Sequence, residues 1–347
     1  MFGRACRLTV MRVPSLPEVR RLTEKERDAW WTVLLVDPVA TPLVRWTAMW
    51  TRVTPNQITW AALVLGIGAA ACFAQGDWQW LVAGAVVYHV SFILDCMDGK
   101  LARLTGKGSA FGAWLDYIFD RIRVLICAVA LMGGQYQRTD DVTYIWLALA
   151  VVFLDMLRYM DALEMWKVRL NMRRTQRERA EELGLVDTSA EADASDDDSE
   201  AGDTPVKSAA RVPAQPTASD ASAAESSASA PAAPAVAQST FITRLPGYVP
   251  LRDFLVSHRI RIHLFSGIEF QMTIFIIAPL LGTVFWPTVV AGALLLAFEV
   301  LVVYRLLLAT RSFQRTMARY DRLESERKSA QAGLSEQADA PERATFV

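Results

Sequence analysis

Asp95, Asp98, Asp116 and Asp120 are the residues of this sequence best placed to do chemistry. Asp95 and Asp98 are three residues apart and Asp116 and Asp120 four apart, so on helices each pair shares one face, a turn apart. An apolar run over residues 78–94 leads into Asp95, and another, residues 122–132, follows Asp120. Two acid pairs therefore stand at the ends of two membrane-grade helices joined by a short turn containing Gly, Lys and Arg. Ionised carboxylates beside hydrocarbon are costly unless something compensates them, and a divalent cation does so most simply. Oxygen ligands with no His or Cys among them favour Mg²⁺, Mn²⁺ or Ca²⁺ over zinc.

The small residues around the acids extend that reading. Gly99 follows Asp98 directly and Gly112 lies one turn before Asp116, which leaves room for a bulky ligand against the backbone. Ala102 is small and sits one turn after Asp98, while Arg103 offers a planar guanidinium suited to phosphate. The residues by themselves describe a metal site with space for a phosphorylated ligand, open to one side of a membrane. The plainer alternative is a set of helix-end salt bridges between these acids and Lys100, Arg103, Arg121 and Arg123.

The full pattern is Asp95-x-x-Asp98-Gly99-x-x-Ala102-Arg103, eight residues, then Gly112-x-x-x-Asp116-x-x-x-Asp120. It resembles the signature of the CDP-alcohol phosphotransferase family at every defining position. Thr54-Pro55-Asn56-Gln57-Ile58-Thr59 also resembles the way that family's first transmembrane helix begins. The resemblance covers about residues 53–131. It implies attack by an alcohol on a CDP-linked donor, CDP-diacylglycerol before a soluble CDP-alcohol, with release of CMP in phospholipid biosynthesis. By motif position, Asp95, Asp98 and Asp116 would bind a pair of Mg²⁺ or Mn²⁺ ions. Asp120 would be the general base and a further metal contact. Asp98, Gly99, Ala102, Arg103 and Gly112 would line the CDP and phosphate side. A homodimer is a further implication of the resemblance.

The elements that must position these residues follow from hydropathy. The chain has 347 residues, 52% of them hydrophobic, with eleven Trp and a net charge of −1. Its mean hydropathy of +0.21 suits an integral membrane protein with sizeable soluble segments. Apolar runs fall at residues 58–74, 78–94, 111–133, 142–157, 262–285 and 287–308. The expected fold is therefore all-α, with six transmembrane helices. An amphipathic interfacial helix is expected over residues 38–52, its face formed by Leu43, Trp46, Met49 and Trp50. Basic residues crowd one side of the spans, which places both termini and the acid site in the cytosol, in the cell or inner membrane. Cys6, Cys72, Cys96 and Cys127 are scattered and read as reduced. The start MFGRACRLTVMRV lacks a long apolar core, so no signal peptide is expected. Neither is a nucleic-acid partner.

The expected segments are an N-terminal extension with its interfacial helix, 1–52; spans one to four with the motif, 53–172; an insert, 173–240; spans five and six, 241–310; and a C-terminal helix and polar tail, 311–347. The insert is acidic and then rich in Ala, Ser and Pro, a composition that cannot offset the entropy of ordering, so it is expected to be disordered and cytosolic. Arg158, Arg259, Arg261, His263 and Glu269, near the cytosolic ends of spans four and five, are candidates for holding an alcohol acceptor or its phosphate. Anchoring to lipid phosphates is the competing role for the arginines. Two other protein classes compete: a cation-coupled transporter, which would place acids at mid-bilayer within an internal repeat, and a non-catalytic scaffold, which would not need all four acids. Excising residues 180–238 is expected to leave turnover and membrane insertion nearly intact, as assayed on the purified deletion protein.

Overall fold

The computed structural model describes residues 15–185, 254–255, 257–261 and 265–338. Among these residues the chain is helical, apart from an isolated parallel bridge between Asp28 and Ile260. In order come α1 (Leu16–Thr23); α2 (Asp37–Trp50), entered through a π turn at Thr32–Val36; α3 (Pro55–Ala74); α4 (Trp78–Thr105); α5 (Ala110–Thr139); α6 (Thr143–Glu182); α7 (Gly267–Leu281), with a π turn at Thr273–Ile277; and α8 (Phe285–Ala338).

Local sequence explains the ends that frame the acids. Thr54 and Gln57 form a capping box at the start of α3: Thr54 N donates to Gln57 Oε1 at 2.9 Å and Gln57 N to Thr54 Oγ1 at 3.4 Å, with Pro55 in the first turn. α4 stops at Gly106, whose φ of 64° suits a residue without Cβ. Ser109 restarts the chain, its Oγ accepting from Gly112 N at 3.0 Å. The tight turn over residues 106–109 brings the end of α4 beside the start of α5.

α3 packs along both α4 and α5. Small residues allow the close crossings: a Cβ on Gly84 would meet the Phe73 ring, and one on Gly134 would run into the backbone of Phe73 and Ala74. Trp60, Val64 and Ile67 of α3, Val86 and Val90 of α4 and Leu125 and Val129 of α5 stay exposed, an outward apolar surface suited to lipid. α2 exposes Val39, Leu43, Trp46 and Trp50 and buries Asp37, Thr41 and Val44, the arrangement expected of an interfacial helix.

Among the described residues, three helices are long and apolar enough to cross a membrane: α3, α4 and the apolar part of α8. The all-α membrane architecture agrees with the sequence reading. The expected fifth span differs most. Instead of residues 262–285, the helix runs only Gly267–Leu281, because Ser266 and Glu269 cap its start and Gly282, at φ 68°, ends it.

The described chain divides into two compact units, residues 15–159 with 254–298, and residues 160–185 with 299–338. The second holds the ends of α6 and α8. The sequence reading began the insert at residue 173, but α6 continues to Glu182. Alternating charges explain why: Arg174 pairs with Glu178 and Arg177 with Glu181, each at 2.9 Å, and Arg179 reaches Asp321 of α8 at 2.9 Å. There Lys328 and Arg179 hold the Glu324 carboxyl below its usual range. Ala180 is buried in this unit, so an excision that spares the helix starts at residue 186. Most of the insert lies outside the described residues.

Gly134→Val should lower stability by about 1–3 kcal/mol through overpacking at the α3–α5 crossing, read as a fall in the thermal unfolding temperature in detergent, whereas Gly133→Ala, with open space at its Cβ, should not.

Candidate metal centre

Because α4 and α5 meet at a tight turn, Asp95 and Asp98 near the end of α4 face Asp116 and Asp120 near the start of α5. One carboxylate oxygen from each of Asp95, Asp98 and Asp116 lies within 4.8 Å of the others. Asp98 is 4% exposed and accepts a 2.5 Å hydrogen bond from Thr59 Oγ1 of α3. The Thr59 hydroxyl also lies 3.2 Å from the Pro55 carbonyl, one turn back on α3. Asp116 Oδ1 is buried with no hydrogen-bond partner.

Asp120 neighbours this trio. Its Oδ1 accepts from Arg123 Nη2, and its Oδ2 lies 4.0 Å from Arg121 Nη2. Arg123 Nη1 donates to Asp95 Oδ1 at 3.1 Å. The other nearby cations are engaged elsewhere. Arg121 pairs with the buried Asp155 of α6 and lies 3.3 Å over the Tyr159 ring. Lys100 Nζ reaches back to α2, 2.5 Å from Asp37 Oδ1 and 3.1 Å from Thr41 Oγ1.

The salt-bridge alternative therefore holds for Asp95 and Asp120, through Arg123 and, at 4.0 Å, Arg121. No ion pair to Asp98 or Asp116 appears among the described contacts, and the surplus negative charge sits among buried side chains. Three hard oxygen donors from two helices, one carrying a buried unpartnered oxygen, fit a Mg²⁺- or Mn²⁺-type cation.

The remaining motif residues divide by contact. A Cβ on Gly99 would meet nothing within 4 Å. Gly112 differs from expectation: a Cβ would stand 2.8 Å from Asn56 Oδ1 and 3.1 Å from Ser109 Oγ, so its missing side chain admits the start of α3. Ala102 is half-buried and Arg103 exposed at the end of α4.

The acceptor candidates make the following contacts. Arg158 is buried, its guanidinium 5.0 Å over the Phe298 ring. Arg259, with φ 62°, is drawn to the N-terminal segment, where Nη1 lies 2.6 Å from Glu24 Oε2 and Nη2 donates to the Lys25 carbonyl at 2.7 Å. Arg261 pairs with Asp28 at 3.4 Å. Glu269 Oε2 accepts from Ser266 N at 2.9 Å and Ser266 Oγ at 2.6 Å, which makes it a helix cap. His263 lies outside the described residues. Sequence reasoning passed over Thr59 and Asn56 as site residues; their signal was the Thr54–Pro55 helix start, which sets both within one turn of the acids' end of α4 and α5.

Helices of membrane-spanning length carrying an acid trio at one end define a membrane protein with a cation-type site. Residues 52–189 match the family model described as CDP-alcohol phosphatidyltransferase. The matched part of the chain holds all four acids. The phosphatidylinositol phosphate synthase of Cutibacterium acnes is 30% identical over 136 residues, 38% of this chain and 59% of that protein. The archaetidylinositol phosphate synthase of Pyrococcus horikoshii is 34% identical over 95 residues, 27% of this chain and 48% of that one. The CDP-diacylglycerol–inositol 3-phosphatidyltransferase of Candida albicans is 33% identical over 84 residues, 24% of this chain and 35% of that enzyme. The matched stretch thus spans less than two thirds of each relative.

Asp116→Asn is expected to weaken Mn²⁺ binding, measured by electron paramagnetic resonance on the solubilised protein, more than about 100-fold, since a lost ligand costs more than a lost outer-shell partner. Thr59→Val, which removes only the hydrogen bond to Asp98, should weaken it about 10- to 100-fold in the same measurement.

Proposed function

We propose that the protein transfers a phosphatidyl group from CDP-diacylglycerol to an alcohol and releases CMP. The acid trio with the unpartnered Asp116 Oδ1 carries this reading, because it supplies a cation site where the family signature places one. Asp95, Asp98 and Asp116 would hold a pair of Mg²⁺ or Mn²⁺ ions. When bound, these would neutralise the donor pyrophosphate and stabilise charge developing on the transferred phosphorus.

The chain's own residues do the rest. Thr59 holds Asp98 in place, and the open face at Gly99 admits the nucleotide half of the donor beside Ala102. Arg103, exposed at the end of α4, pairs with a phosphate. Asp120 takes the proton from the acceptor hydroxyl as its oxygen bonds to phosphorus. The bond from phosphorus to the CMP oxygen breaks, and CMP leaves with that electron pair. Little covalent help is needed; positioning and charge neutralisation lower the barrier.

The acceptor is an inositol-type alcohol or its phosphate, a choice supported by the names of the relatives. Arg158, Arg259, Arg261, His263 and Glu269 are the sequence candidates for holding it, with Arg259, Arg261 and Glu269 also making contacts within the chain. The protein sits as a multi-pass membrane protein, with six spans as hydropathy expects, and the site and both termini face the cytosol, supported by the basic residues on that side. The insert is a solvated cytosolic linker, and the working unit is a homodimer.

CMP release from CDP-diacylglycerol with Mg²⁺ or Mn²⁺, over a panel of polyols and phospho-polyols, tests the reaction. Release should require an inositol-type acceptor and disappear in Asp120→Asn. Release from a soluble CDP-alcohol instead would replace the donor, and silence with both donors from folded protein would end the enzyme reading.

A further inference from the structure

Lys100 follows Asp98 by two residues on α4. Successive residues of an α-helix turn by about 100°, so the two side chains leave α4 about 200° apart, on nearly opposite faces. On one face Asp98 is held by Thr59 of α3. On the other Lys100 is buried, its Nζ 2.5 Å from Asp37 Oδ1 and 3.1 Å from Thr41 Oγ1 of α2.

These contacts close into a ring within the first compact unit. Thr41 Oγ1 donates to Glu24 Oε1 at 3.0 Å, and Glu24 Oε2 accepts from Arg259 Nη1 at 2.6 Å. The same Nη1 lies 3.6 Å from Asp37 Oδ2, and Asp37 leads back to Lys100. Two acids, two cations and a hydroxyl thus satisfy one another, as charges taken out of water require. The backbone brings Arg259 into place: Asp28 N donates to the Arg259 carbonyl at 2.9 Å and Arg261 N to the Asp28 carbonyl at 3.0 Å. Arg259 itself takes φ 62°, a left-handed conformation uncommon outside glycine.

Chain segments near the end of an element open more readily than its middle, and Lys100 stands in the last two turns of α4, before the stop at Gly106. Asp98 lies in the same stretch, so its place depends on how firmly that end is held. We propose that Lys100 is a positioning residue: through its ring with Asp37, Thr41, Glu24 and Arg259 it fixes the end of α4 from the face opposite Thr59, and so holds Asp98 in place among the motif acids. This rests on the cation site described under Proposed function, not on the transfer reaction that site would serve.

The test is Mn²⁺ affinity, by electron paramagnetic resonance, of the full-length solubilised protein and of its Lys100→Met, Arg259→Met and Lys100→Met/Arg259→Met variants. Lys100→Met should weaken binding more than about tenfold. Arg259→Met should weaken it about threefold or more alone, but less than about twofold in the Lys100→Met background, because Arg259 acts through Lys100. The sign discriminates, since losing a positive charge near a cation site would by charge alone tighten binding. Unchanged or tighter binding in Lys100→Met would overturn the proposal, as would additive effects of the two substitutions. So would a lowered unfolding temperature with wild-type Mn²⁺ affinity, which would leave the ring a structural role alone. Should Lys100→Met not fold because Asp37 is left buried and unpaired, Lys100→Met/Asp37→Asn removes both charges together, and the same loss of affinity is expected. Ring-dependent affinity in protein that releases no CMP would sink the transferase reading and leave the role of Lys100 standing; CMP release with an affinity indifferent to Lys100 would do the reverse. A wild type that binds no Mn²⁺ would end both.

Discussion

Surplus negative charge where α4 meets α5 is the constraint on which the rest of the structure depends. Asp95 and Asp120 share the Arg123 guanidinium, and Asp98 and Asp116 are held by no cation of the chain that the described contacts show. Buried like charges repel strongly where water cannot screen them. The chain tolerates the arrangement only because the helices carrying it are fixed from several sides. The capping box at Thr54 sets the start of α3 and hence Thr59, and the Gly106 stop and Ser109 cap set the facing ends of α4 and α5.

The other buried acids show how this protein treats charge that is not meant for a ligand. Asp155 has Arg121 and the Gln271 amide, 2.8 Å away. Asp37 has Lys100, and Glu269 has the backbone and hydroxyl of its own cap. Each finds donors within the chain, as buried carboxylates generally do. Asp116 Oδ1, like Asp161 Oδ2 and Glu299 Oε1, departs from that habit, but among the described residues it is the one that lies within a trio of carboxylates, which points to a partner from solution. Arg259 and Arg261 likewise pair with acids of the N-terminal segment, Glu24 and Asp28.

Close packing makes the acid cluster possible. Glycines at 66, 84 and 134 let α3 lie against α4 and α5 with ring, stem or backbone in place of side chains. Where lipid offers no hydrophobic drive between helices, such contacts carry much of the association. At Gly66 the space is filled by Arg123 itself, so one small residue on α3 sets the position of a cation serving acids on α4 and α5.

The sequence by itself determined the helical class, the apolar faces and the four acids, because periodicity and spacing are local properties that the backbone must obey. The acid spacing placed each pair on one face, and the structure keeps Asp95, Asp98 and Asp116 together. Local charge order also explains why α6 outlasts its composition, a pattern present in Arg174–Glu178 but outweighed in a reading by averages. Only the tertiary structure decided which cation answers which acid. Lys100 and Arg121, adjacent to the motif in sequence, turn chiefly to Asp37 and Asp155 on other helices, while Arg123 bridges Asp95 and Asp120. The fork of Arg123, the hydroxyl of Thr59 and the Asn56 that fills the gap at Gly112 depend on how α3 crosses its neighbours. That crossing is set by packing between residues far apart in the chain, so no local pattern records it.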